Sequence, residues 1–183
     1  MKGRLAAAGL AICITAASGA QGVEREHHLG LDAGGSMLVF GDKSNPDVGG
    51  GVGAHWAYGL GDAFNLMVEA AWSLVALRES HDPKAPTTRP TWAANANAGV
   101  GYVFDVLQWV PYAGILVGGY TLSGGTIHGV KVLPGVEFAI GLDFRYSRHV
   151  ALGVALRQHM MSEVSTYPSF SQAFARLEYT WGW

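Results

Sequence analysis

From Val150 to Leu156 every second residue is a large aliphatic (Val150, Leu152, Val154, Leu156), and between and beside them stand His149, Ala151, Gly153, Ala155, Arg157 and His159. A period of two places the aliphatics on one face of an extended strand and the small or charged residues on the other. The alternation recurs between turn signals and predicts eight strands: Leu29 to Phe40, Val48 to Tyr58, Phe64 to Leu77, Thr91 to Phe104, Val110 to Tyr120, Val130 to Phe144, His149 to Met160 and Ser169 to Trp181. The connections alternate in kind. Gly59 to Ala63, Asp105 to Trp109 and Arg145 to Arg148 are short, whereas Gly41 to Asp47, Arg78 to Pro90, Thr121 to Gly129 and Met161 to Pro168 are longer and more polar. Tight turns on one side and longer loops on the other are what an up-and-down antiparallel barrel in a membrane produces, with both termini on the short-turn side.

Sorting each strand by parity gives two consistent faces. One carries Trp56, Tyr58, Leu66, Val68, Trp72, Val100, Phe138, Ile140, Leu142, Leu177 and Tyr179. The other carries Gly51, Gly53, His55, Asn65, Glu69, Ser73, Asn95, Asn97, Glu137, Gly141, Asp143, Gln172, Arg176 and Glu178. The fifth segment is ambiguous, because Ile115 and Val117 compete with Tyr112, Leu116 and Tyr120. A soluble eight-stranded barrel would turn the bulky set inward and coat its outside with charge. Charged residues are only 14% of this chain, and a face of Gly, Ala, Asn and a few ions is a poor solvent coat. That face suits the crowded interior of a narrow barrel, which leaves the bulky residues facing lipid. About ten residues per tilted strand cross the apolar band of about 25 Å. Tyr58, Phe64, Tyr102, Phe104, Trp109, Tyr112, Phe144, Tyr146, Tyr179 and Trp181 gather toward the short turns, and Trp92, Tyr120, Tyr167 and Phe170 toward the long loops, as two interfacial girdles would.

The termini and the composition narrow the class further. Lys2 and Arg4 precede an apolar stretch from Leu5 to Thr15 and the small residues Ala16 to Ala20, which predicts a secretory signal peptide over 1–20, cut after Ala20 or Gly22. A tail over 21–28 and a barrel over 29–183 follow. The sole cysteine, Cys13, lies in this leader, and Ile12 stands where a lipidation signal wants a smaller residue, so neither a disulfide nor a lipid anchor is expected. The formal charge of −2 gives no polyanion-binding surface and no reason to expect nucleic acid. The mean hydropathy of +0.18 is high for a single soluble domain of this length.

From Leu29 to Trp183 the chain resembles the small eight-stranded outer-membrane barrels of Gram-negative bacteria, the OmpA-like or OmpX-like transmembrane domains. The C-terminal run Leu177-Glu178-Tyr179-Thr180-Trp181-Gly182-Trp183 is similar to the terminal strand that the outer-membrane assembly machinery recognises, although that family usually ends in Phe. Pro111-Tyr112-Ala113-Gly114 also looks like that family. The resemblance implies an all-β transmembrane barrel in the bacterial outer membrane, with that assembly machinery and outer-membrane lipid and lipopolysaccharide as partners.

The residues able to carry chemistry are few. Inward parity collects the acids Asp32, Glu69, Glu137, Asp143 and Glu178 with the bases Lys131, Arg145, Arg157 and Arg176. Glu69, Glu137, Arg157 and Arg176 fall near mid-height, where a satisfied ion-pair network would plug the barrel. His27 and His28 are adjacent and point opposite ways, and no metal-ligand spacing follows. His55 and His159 face inward, where a neighbouring Asn or acid can satisfy each. His159, Ser162 and Glu163 sit together at a loop end, as a lipid-A-modifying enzyme would require, but match no deacylase or palmitoyltransferase motif. Asp42 to Asp47 lacks the ordered ligands and central Gly of a calcium loop. No catalytic residue, cofactor or metal is expected. The expected role is structural or adhesive, with the Pro-interrupted loop Arg78 to Pro90 open to a host or cell-surface ligand. A narrow pore for ions or very small solutes is the alternative, and a lipid-A-modifying enzyme a third reading.

Overall fold

The computed structural model describes residues 25–39, 46–76, 89–104, 108–163 and 169–182. The predicted leader, most of the loop from Gly41 to Asp47, nearly all of Arg78 to Pro90, part of the Asp105 to Trp109 turn, Tyr167 and Trp183 lie outside them.

Eight antiparallel strands follow in order: β1 (His27–Val39), β2 (Asp47–Gly59), β3 (Phe64–Val75), β4 (Trp92–Val103), β5 (Trp109–Gly124), β6 (Ile127–Arg145), β7 (Val150–Met161) and β8 (Ser169–Trp181). Each pairs with its neighbours in the chain, and β1 pairs with β8 from His27↔Trp181 to Val39↔Ser169, which closes the barrel. Closure leaves no sheet edge to seek a partner. No helix among the described residues is long and apolar enough to cross a membrane.

The orientation is decided by exposure. Phe138 and Leu152 are 44% and 50% exposed, whereas Glu137 and Arg176 are 0% and 5% exposed. The bulky face therefore looks out around the whole circumference, and the Gly, Asn and ionic face lines the lumen. A fully paired backbone with an apolar outside is the form in which a sheet crosses hydrocarbon.

Four expectations need correction. First, β1 begins at His27, two residues into the predicted tail, because the alternation runs back through His28 and Gly30 on the lumen face. Second, Thr121 to Gly129 is not a long loop. β5 and β6 continue into it as far as a two-residue turn at Gly125 and Thr126, with an irregularity at Ser123/Gly124. Gly124 and Gly125 take φ of 80° and 61°, a left-handed backbone open to glycine, and so serve the turn rather than mark a loop. This hairpin outruns its neighbour, since the last β6–β7 rung is Gly135↔Met161.

Third, the ambiguity in the fifth strand resolves by strict parity. Ile115 and Val117 face lipid, while Tyr112, Leu116 and Tyr120 are buried inside. Tyr112, Tyr120 and Phe170 are therefore lumen residues, not girdle residues. Fourth, the lumen is not polar throughout. At the loop end Leu38, Val75, Ala93, Tyr120, Leu122, Leu133, Met161 and Phe170 form a buried apolar cluster. Toward the short turns Ala57, Met67, Val103, Val110, Tyr112, Leu116, Ala139 and Ala155 form another. Polar side chains interleave with this second cluster, since Glu137 stands opposite Leu116 and Asp143 opposite Val110.

Candidate functional site

The ionic layer follows from register. Asp32 and Arg176 are direct partners across the closing β1–β8 pair, Glu69 stands opposite His55 on β2 and Asn97 on β4, and Glu137 stands opposite His159 on β7. These pairs share the lumen face at neighbouring heights, so β1, β2, β3, β6, β7 and β8 deliver ionisable side chains to one narrow space.

Two guanidinium groups organise it. Arg157 Nη2 lies 2.8 Å from Asp32 Oδ2 and 2.9 Å from Glu69 Oε2, and its Nε lies 3.6 Å from Glu137 Oε1. Arg176 reaches Asp32 at 3.5 Å, Asp143 at 3.5 Å and Glu178 at 3.3 Å, and sits 4.7 Å over the ring of Tyr112. His55 bridges Asp32 through Nδ1 and Glu178 through Nε2, each at 3.0 Å. His28 Nδ1 adds a 2.8 Å contact to Glu178, and Asn97 Nδ2 donates to Glu137. Each acid named here thus meets a cation, an imidazole or an amide, the condition for a buried ionic group to persist.

Of the residues predicted for this network, Asp32, Glu69, Glu137, Asp143, Arg157, Arg176 and Glu178 are brought together. Arg145 is not. It sits at the short-turn rim, where its side chain is 32% exposed and lies 3.8 Å from Glu26. Lys131, at the opposite end, pairs with Glu163. Sequence reading missed Glu26, His28 and Tyr112 as inward groups, although carrying the parity of β1 back from Asp32 through Gly30 reaches His28. It also missed Asp47, which was assigned to a polar loop but is fully buried and paired with Arg89.

Lumen glycines clear space for these side chains. A Cβ at Gly30 would strike the His55 ring, one at Gly153 the Asp143 carboxylate, and one at Gly141 the ring of Tyr112, its partner across β5–β6. Gly141→Ala is expected to destabilise the barrel by about 1–3 kcal/mol in urea titrations, because Arg176 holds the Tyr112 ring in place. Adding Tyr112→Leu should recover part of that loss, since touching residues do not behave additively.

The trio His159, Ser162 and Glu163 does not assemble. His159 is fully buried, with Nδ1 accepting from the Tyr120 hydroxyl at 3.1 Å and Nε2 donating to Gln172 Oε1 at 3.0 Å. Ser162 is exposed and Glu163 is engaged with Lys131. Among the described residues no group of three or more His, Cys, Asp or Glu is placed to hold a metal ion.

No protein-family model matches the sequence, and no curated protein matches it either. Solved structures do match by shape. Neisserial surface protein A superposes with a TM-score of 0.64 at 13% identity, covering 84% of this chain and 96% of that one. The N-terminal β-barrel domain of Pseudomonas aeruginosa OprF gives 0.60 at 11% identity, covering 86% and 98%. Ail, the attachment invasion locus protein of Yersinia pestis, gives 0.57 at 13% identity, covering 86% and 99%. The closed ladder, the apolar exterior and these superpositions agree: the chain has the fold of the small eight-stranded barrels of Gram-negative outer membranes.

Proposed function

We propose that this protein is a non-enzymatic integral barrel of the bacterial outer membrane, closed to solute flow, that presents its longer loops at the cell surface in a structural or adhesive role. The observation that carries the reading is the double seal of the lumen. The Arg157 layer fills mid-height, and the apolar cluster around Leu38, Leu122 and Phe170, each 0% exposed, fills the loop end. A cavity of about 40 Å³ opens at the short-turn end beside Asn65 and Tyr112 and reaches Arg176, Asp143 and Glu178 of the ionic layer, but neither Arg157 nor any residue of the apolar cluster at the loop end lines it. Similarity in fold to a protein named for attachment and invasion supports a surface-contact role for the loops.

In planar bilayers the purified protein is expected to give no reproducible conductance steps. Recurrent steps of uniform size would favour the narrow-pore reading instead. Phe170→Ala combined with Leu122→Ala opens the apolar seal alone and is expected to stay silent while the Arg157 layer remains.

A further inference from the structure

The cavity of about 40 Å³ at the short-turn end of the lumen has two kinds of wall. Ala57, Met67, Val103, Val110 and Ala151 give it apolar sides, and Asn65, Tyr112 and Asp143 bring polar groups to the same space. Register explains the gathering. Asn65 is the first lumen residue of β3, and Asp143 is the partner of Val110 across β5–β6. Tyr112 stands opposite Gly141, where the absence of a Cβ leaves room for its ring.

Asn65, Tyr112 and Asp143 are 6%, 7% and 7% exposed. Asn65 Oδ1 and Asp143 Oδ1 are buried without a hydrogen-bond partner, and among the described residues the Tyr112 hydroxyl has none either. Buried polar groups are ordinarily met, so three of them beside one cavity point to a guest that meets them. Charge points to its sign. Arg176 serves Asp32, Asp143 and Glu178 together, at 3.5, 3.5 and 3.3 Å. Asp32 also has Arg157 at 2.8 Å and His55 at 3.0 Å, and Glu178 also has His55 at 3.0 Å and His28 at 2.8 Å. Among the described residues Asp143 has no cation but the shared guanidinium. Arg145, which also borders the cavity, lies 3.8 Å from Glu26.

We propose that this cavity binds one small primary ammonium ion, its N–H groups toward the Asp143 carboxylate, the Asn65 amide oxygen and the Tyr112 hydroxyl oxygen, and its alkyl group against the apolar side. A primary ammonium head carries three donors and no acceptor, which matches three oxygens able to accept. The bond to a carboxylate is charge-assisted and stronger than a neutral one. An anion would meet Asp143 and Glu178, and a divalent metal asks for about six or more oxygens. One water needs about 10–15 Å³ of such space, so the cavity admits an ammonium head with one or two carbons and excludes a quaternary ammonium. Neither Arg157 nor the loop-end apolar cluster borders it, so the site can fill while the lumen stays closed.

Urea titration of the protein folded into lipid vesicles tests the site, run in methylammonium, potassium or tetramethylammonium chloride at one ionic strength. A ligand held only by the folded barrel lowers the unfolding constant as the site fills. That constant is expected to be roughly tenfold lower in methylammonium than in tetramethylammonium, with potassium close to the latter. Asp143→Asn keeps the shape, removes the charge and should abolish the difference. Asn65→Leu removes one acceptor and should reduce it to about threefold. Ser171→Ala, on the outer wall, should leave it at the wild-type value. Each comparison is between salts within one variant, so a change in basal stability does not enter, and a heat-dependent gel shift verifies folding. Should Asp143→Asn fail to fold, Asn65→Leu carries the test. Equal constants in methylammonium and tetramethylammonium, an equal effect of potassium, or a full difference in either cavity variant overturns the proposal.

Discussion

Arg157→Ala is expected to cost the barrel about 3–5 kcal/mol, because it strands buried carboxylates whose partner it is. Asp32, Glu69 and Glu137 all lie within 3.6 Å of its guanidinium, and all three are at most 3% exposed. Water cannot reach them to replace the lost cation. Urea titration of the protein folded into lipid vesicles, followed by tryptophan emission, measures the loss. Leu152→Ala, on the lipid face of the same strand, gives the comparison. It removes apolar contact worth about 2 kcal/mol or less and leaves no charge behind. Equal losses in the two variants would show that the ionic layer does not hold the barrel together. Neutralising the cluster as a whole, with Arg157→Met, Asp32→Asn, Glu69→Gln and Glu137→Gln, should restore most of the stability, since the damage comes from unpaired charge rather than from lost volume.

Val154→Arg and Val130→Arg should differ sharply although the two valines are similarly exposed, at 57% and 64%. Val154 lies mid-strand on β7, level with Leu142 and Ala175 on the outer wall. A guanidinium there enters the apolar band and should cost about 2–4 kcal/mol. Val130 lies on the β5–β6 hairpin beyond the last rung with β7. An arginine there should cost about 0–1 kcal/mol, the value near or outside an interface. The same vesicle titration reads both. Similar costs at the two sites would mean that the band does not end where β7 ends, and that the hairpin does not project from the membrane.

Much of this was legible in local alternation. The eight strands, their faces and seven of the eight predicted network residues follow from counting by twos through segments such as Phe64 to Leu77 and His149 to Met160. The misreadings share a cause. Gly124, Gly125 and Gly129 signal a loop by composition, yet all three take positive φ in or beside an extended hairpin. Tyr112, Tyr120 and Phe170 look like girdle aromatics in one dimension, yet parity turns them inward where Gly135 and Gly141 leave room for the two tyrosine rings. His28 and Glu26 escaped notice because the first strand starts earlier than its apolar pattern does. The likeness of each end of the lumen to a small apolar core was invisible, since Leu38, Leu122 and Met161 resemble any other aliphatic in a strand.

Alternation by itself determined which residues look toward lipid and which look inward, because a strand offers two faces and a one-residue slip would drive every bulky side chain into a space too narrow for it. Which of the mid-height charges meet was decided only by closure. The offset between strands accumulates around the barrel, and it alone sets Arg157 beside Asp32, which lies 125 positions away in the chain. Period is a property of a few neighbouring residues, whereas the meeting of charges depends on the sum of all eight registers.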